Sequence, residues 1–105
     1  MKDGTINSKK DISESFVTKQ STVTGGGGAV AFGSASRAYH HGVFVCGASN
    51  ISNANYQVLV GQCSNPRAPK DSSDKSYTLF AVGNGEGVAS KSNAFEVTFD
   101  GRAKV

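Results

Sequence analysis

Between Ala29 and Pro66 short apolar runs recur every fourteen residues, each closed by a glycine. The runs are Val30-Ala31-Phe32, Phe44-Val45-Cys46 and Val58-Leu59-Val60, and Gly33, Gly47 and Gly61 follow them. Three residues beyond each glycine stands a small polar side chain, namely Ser36, Asn50 and Ser64. Apolar runs of about four or five residues bounded by turn formers read as short strands. The glycine after each strand lets the backbone turn. Self-similarity at a short fixed period marks a chain that winds upon itself, one rung per repeat. The pattern therefore predicts an all-β fold, a β-coil of 14-residue repeats. Its small seventh and eighth residues (Ala35 and Ser36, Ser49 and Asn50, Cys63 and Ser64) let neighbouring backbones approach closely.

The chain divides into three stretches on this reading. Residues 1–28 form an extended or helical lead ending in the linker Gly25–Gly28. Ile12, Phe16 and Val23 could line a short helix capped by Ser8 or Asp11. Phe16-Val17-Thr18 and Ser21-Thr22-Val23-Thr24 have the β-branched character of strands, and extended structure is favoured after Phe16. Residues 29–66 are the repeat coil. Residues 67–105 are a loop and a terminal β-hairpin region. Both prolines, Pro66 and Pro69, lie in a polar stretch that cannot donate fully to a ladder and is expected to end the coil. Beyond it, 77–82 reads as a strand, Gly83–Gly87 as a turn and 94–99 as a half-buried alternating strand. Asp100-Gly101 is a hairpin signal, with 102–105 as the return strand.

Composition sharpens the picture. The 105 residues make one domain at most. A hydrophobic share of 37%, thirteen glycines and no tryptophan imply a thin core. A thin core is marginal alone and is commonly completed by other subunits. The net charge of +3 is mild and the basic residues are scattered, which argues against nucleic acid as partner. No apolar stretch approaches the roughly 18–20 residues that cross a bilayer as a helix, so membrane insertion is not expected. Cys46 precedes its glycine whereas Cys63 follows the next by two, so stacked rungs would not superpose them. Both are expected to be small buried residues without a disulfide.

Candidate chemistry is sparse. His40-His41 could offer one imidazole per chain to a metal on a symmetry axis, since neighbours on an extended chain point opposite ways. Corner histidines without acidic or cysteine partners nearby are the simpler account, and no metal is expected. No Gly-x-Ser-x-Gly elbow occurs, and the serines read as small rung residues. Asp71 and Asp74 sit beside Lys70 and Lys75 in a polar loop where solvation is the expected state. No catalytic residue and no cofactor are expected. Tyr39, Tyr56 and Tyr77 are the candidate contact residues for a sugar or a protein.

The apolar-Gly-x-x-Ser rung resembles the head repeats of trimeric autotransporter adhesins, which also occur in bacteriophage tail fibres and neck appendages. The stretch LFAVGNGEGVASKSNAFEVTFDGRAKV resembles the segment that follows such repeats in phage fibres. Leu79 to Gly85, Lys91 to Phe95 and Asp100-Gly101 carry that likeness. The resemblance implies a trimeric fibre-type coil in which three chains pack about a shared axis. It implies a structural part of a virion, assembled in the host cytoplasm, that supports trimerisation and attachment to a host-surface glycan or protein. An intramolecular chaperone domain of a tail spike or appendage, self-cleaving in some relatives, is the alternative. Pro66 within the third rung and Tyr39-His40-His41 before the second depart from the pattern.

Overall fold

In the computed structural model, described for residues 5–6, 16–17, 21–24 and 27–105, the chain is strand-rich, with no helix among the described residues. The strands begin with β1 (Thr5–Ile6), β2 (Phe16–Val17), β3 (Thr22–Val23), β4 (Val30–Ser34) and β5 (Arg37–Ala38). They continue with β6 (Phe44–Ala48), β7 (Val58–Gln62), β8 (Thr78–Asn84), β9 (Asn93–Thr98) and β10 (Ala103–Lys104). Phe16–Val17 and Thr22–Val23 are therefore extended. The rest of the alternative helix over 9–24, with Ile12 and its caps, lies outside the described residues.

Seven strands form one sheet in the order β10-β9-β8-β7-β6-β4-β2, and three form a second in the order β1-β3-β5. Neighbours from β2 to β8 are parallel, and β8, β9 and β10 pair antiparallel. Phe16 sits opposite Val30, Val30 opposite Phe44, and Phe44 opposite Val58, so each partner lies fourteen residues further on. The polar stretch expected to end the coil does not end the ladder. β8 pairs parallel with β7 beyond it, Gly61 opposite Gly83, because Val82-Gly83 reproduces the apolar-glycine step of the earlier strands. Residues 63–77 are an insertion between two paired strands.

β4, β6 and β7 each leave the sheet through two positive-φ residues. Gly33, Gly47 and Gly61 have φ of 111°, 106° and 87°, and Ala35, Ser49 and Cys63 follow at 56°, 58° and 48°. The left-handed region costs a non-glycine residue about 1–2 kcal/mol. Here it is held by amide bonds to the preceding strand, Ser49 N to Ser34 O and Cys63 N to Ala48 O, both 2.8 Å. The glycine column serves close approach as well. A Cβ on Gly47 would lie far inside van der Waals contact with the Gly61 carbonyl oxygen, and one on Gly33 likewise with that of Gly47.

Ala31, Val45, Leu59 and Ala81 point inward and are fully buried with Val23, Ala29, Ala38 and Val43. Mostly alanine and valine, this interior is narrow. A polar column runs beside it. Ser21 Oγ donates to Gly33 O (3.3 Å), Ser36 Oγ to Gly47 O (3.4 Å) and Asn50 Nδ2 to Gly61 O (3.0 Å). Each small polar residue thereby ties its corner to the glycine of the next strand.

Alternation sends the flanking residues to the opposite side. Val30, Phe44, Val58, Phe80 and Val97 are successive register partners on that outer face. Beside them Phe32 pairs with Cys46, and Val60 with Val82, which in turn faces Phe95. None of these ten residues is buried. Phe32 meets Phe44 edge-on at 5.6 Å, and Phe80 meets Phe95 at 6.1 Å. The apolar set of β9 therefore extends this outer face instead of entering the core. Its polar member Glu96 lies opposite buried Ala81 and accepts a hydrogen bond from Thr78 Oγ1. Both cysteines are free, but only Cys63 is buried. Cys46 is half-exposed because it belongs to the outer face.

Candidate binding cavity at the loop corner

The insertion 63–77 folds back over the corner formed by 53–56. Gln57, a fully buried polar residue, organises that corner. Its Oε1 accepts from Asn53 N (2.8 Å) and Ala54 N (3.3 Å). Its Nε2 donates to Asn53 Oδ1 (2.8 Å) and Thr78 O (2.7 Å), and Asn53 Nδ2 reaches Pro66 O (2.8 Å). All four valences of one side chain are used, which fixes the corner against the start of β8. The tight corner forces Tyr56 to a φ of 65°, and its amide donates to His41 O at 2.9 Å. Its ring then lies over Gly42, where any Cβ would collide with it.

The insertion is held by its own carboxylates. Asp71 Oδ1 accepts from Ser73 N (2.9 Å) and Ser73 Oγ (2.8 Å). Asp74 accepts from Ser76 Oγ (2.6 Å), Ser76 N (2.9 Å) and Lys70 N (2.8 Å). The Ser76 hydroxyl foremost, then these amides, pull the Asp74 pKa down to about 2. The Asp71 pKa is likewise lowered, first by the Ser73 hydroxyl. Tyr77 stacks on Phe99 at 5.3 Å, and Lys75 Nζ lies 5.4 Å over the same ring. Phe99 N to Tyr77 O (3.0 Å) and Asp100 N to Lys75 O (2.9 Å) tie the loop to the hairpin.

Between these walls lies a cavity of about 360 Å³, reached by Tyr56, Tyr77, His40, Asp71, Asn55 and Lys75 among others. His40 Nδ1 is 3.0 Å from Ser52 Oγ, which already accepts from Tyr39 N at 2.8 Å. Which partner donates depends on the ring tautomer, and a neutral imidazole can take either role. Burial, with a smaller contribution from neighbouring His41, lowers the His40 pKa and favours that neutral ring. Ser52 is 2% exposed, so this serine–histidine pair offers no nucleophile to an outside substrate. A second, shallower hollow lies over the glycine column, lined by Gly47, Gly61, Gly83 and Gln62.

The structure brings together two of the three tyrosines singled out in the sequence. Tyr56 and Tyr77 line the cavity; Tyr39 lies apart, its hydroxyl accepting from Arg37 Nη1 at 3.2 Å. His41 accepts from Gly27 N through Nδ1 at 3.1 Å. Among the described residues no group of three His, Cys, Asp or Glu side chains could hold a metal ion. No helix of the described residues is long and apolar enough to cross a membrane. Gln57 escaped the sequence reading because its role depends on Thr78, twenty-one residues away, and no local motif announces it. Comparisons with family models, with curated proteins and with solved structures found no match to this chain.

Proposed function

We propose that this chain is a structural segment of a homotrimeric fibre of the phage-tail type, a coil of fourteen-residue rungs closed by a β-hairpin. It holds three copies in register and presents their outer corners for attachment to a host surface. The observation that carries this reading is the ten-residue apolar face of the large sheet. Two apolar columns repeat along successive strands, with Phe44 exposed and the other nine residues only half-buried. Contiguous apolar faces of this kind mark association surfaces. The interior beneath is lined by small residues, so outward burial supplies what the core lacks. Identical columns on identical chains invite packing about an axis parallel to the direction in which the strands stack. The copy number of three comes from the resemblance of the rung and of the 79–101 segment to trimeric fibres. Attachment then gains from multivalency, since three weak contacts on one axis act at high effective concentration.

The test is the mass of the purified protein in solution. Three chains per particle, persisting through dilution into the micromolar range, are expected. A folded single copy under those conditions overturns the reading.

A further inference from the structure

The corner cavity has the construction of a ligand site. Its volume of about 360 Å³ falls within the roughly 300–1,000 Å³ usual for small-molecule sites. Its two aromatic rings are fixed before any ligand arrives. Tyr56 is pinned by its backbone and Gly42 yet is 61% exposed, and Tyr77 is braced by Phe99. Ring faces carry negative charge density, which attracts the weakly positive C–H edges of a sugar ring. Polar groups ready for hydroxyls accompany them. The Asp71 carboxylate, the Asn55 side-chain amide and the His40 ring line the same space.

We propose that this cavity binds an uncharged pyranoside, stacked on Tyr56 and Tyr77 and hydrogen-bonded by Asp71, Asn55 and His40. The proposal rests on the attachment role given above and names its ligand class. Charge decides against the alternatives. Asp71 and Asp74 outnumber Lys75 at the cavity wall, which disfavours anionic sugars. A bare cation is poorly served, because backbone amides and serine hydroxyls already occupy three of the four carboxylate oxygens.

The experiment screens the full chain against methyl glycosides of glucose, galactose, mannose and N-acetylglucosamine, with glucuronic and sialic acids as charged arms. Hits are titrated calorimetrically, and adsorption of the protein to a panel of bacterial cells is scored in parallel. Tyr56→Asn removes the ring while keeping a residue that tolerates positive φ, and Asp71→Asn is the second variant. Tyr39→Ala, away from the cavity, is the control. The expected result is binding of a neutral glycoside that falls by about tenfold or more in Tyr56→Asn. Asp71→Asn should weaken it too, with Tyr39→Ala unchanged and all variants keeping the parental circular dichroism. Binding of acidic sugars only, or neutral binding insensitive to both cavity variants, overturns the proposal. So does binding of no sugar at all; adsorption to cells retained in that case leaves the attachment role standing, and adsorption lost sinks both.

Discussion

The side-chain amide of Asn50 donates to the carbonyl of Gly61 at 3.0 Å, across the gap between one strand's corner and the next strand's glycine. The same Nδ2 donates to Cys46 O at 2.7 Å, and Oδ1 accepts from the buried amide of Ser64 at 2.9 Å. One residue thereby satisfies three backbone groups. Ser64, next in the column, has a hydroxyl with no partner among the described residues although the residue is 1% exposed. The insertion begins there, and the step to the following strand is no longer the one that served Ser21, Ser36 and Asn50.

This contrast separates two substitutions of similar appearance. Asn50→Ala is expected to cost about 2–4 kcal/mol, since it strands the buried Ser64 amide, at about 1–3 kcal/mol, and removes two part-buried bonds to Cys46 O and Gly61 O. Ser64→Ala removes an unpartnered hydroxyl and is expected to lie within about 1 kcal/mol of neutral, or to stabilise. Denaturant midpoints at one fixed protein concentration compare them. Equal losses would show that the Asn50 bonds carry no special weight.

Gly47→Ala attacks the ladder itself. The new methyl must adopt a φ of 106° and displace the Gly61 carbonyl. Strain alone is about 1–3 kcal/mol, so the total loss is expected to exceed about 3 kcal/mol once the strands are forced apart. Gly101→Ala is the comparison, with φ of 90° but open space around its would-be Cβ. It should cost clearly less in the same thermal or denaturant series. A Gly47 variant as stable as the parent would remove close approach as the reason for the glycine.

The outer face makes a prediction about association. Phe44, 36% exposed within one copy, sits at the middle of the apolar columns. Phe44→Glu is expected to lower the solution mass to that of a single chain while the β-type circular dichroism persists at low temperature. Thermal stability should then become independent of protein concentration. An unchanged mass places the contact between copies elsewhere.

His40 gives the pH dependence. Burial, then His41, hold its pKa below the ordinary 6.5. The folded chain therefore binds fewer protons than the unfolded one below that value. Its contribution is complete above about pH 6.5 and is lost as pH falls towards the lowered folded pKa. Asp71, Asp74 and Lys75 share the cavity wall with His40, and Tyr56 and Tyr77 close it. Stability measured from pH 7.5 down to 5 should decline in the parent and decline less in His40→Gln. Parallel profiles would assign the pH dependence to other groups.

The spacing of glycines and apolar runs was legible because β4, β6 and β7 meet the same local demand in parallel register. The hairpin at Asp100-Gly101 was legible for a similar reason, since its turn chemistry is local: β9 and β10 pair as the alternation and turn imply. The cavity was legible only in fragments. Tyr56 and Tyr77 stood out as aromatics in a polar context, but nothing in their separation places them on one wall. That depends on the insertion folding back over the corner that Gln57 holds.

By itself the sequence determined the strand-rich, all-β architecture and the positions where glycine is needed, because backbone sterics and side-chain alternation act within a few residues. Tertiary structure alone decided which apolar residues face outward and that β8 rejoins the ladder beyond the prolines. It also turned the apolar side of β9 onto the open face and closed a cavity between a tyrosine corner and an acidic loop. These outcomes depend on hydrogen-bond partners and neighbours eleven to twenty-eight residues apart, which local pattern does not encode.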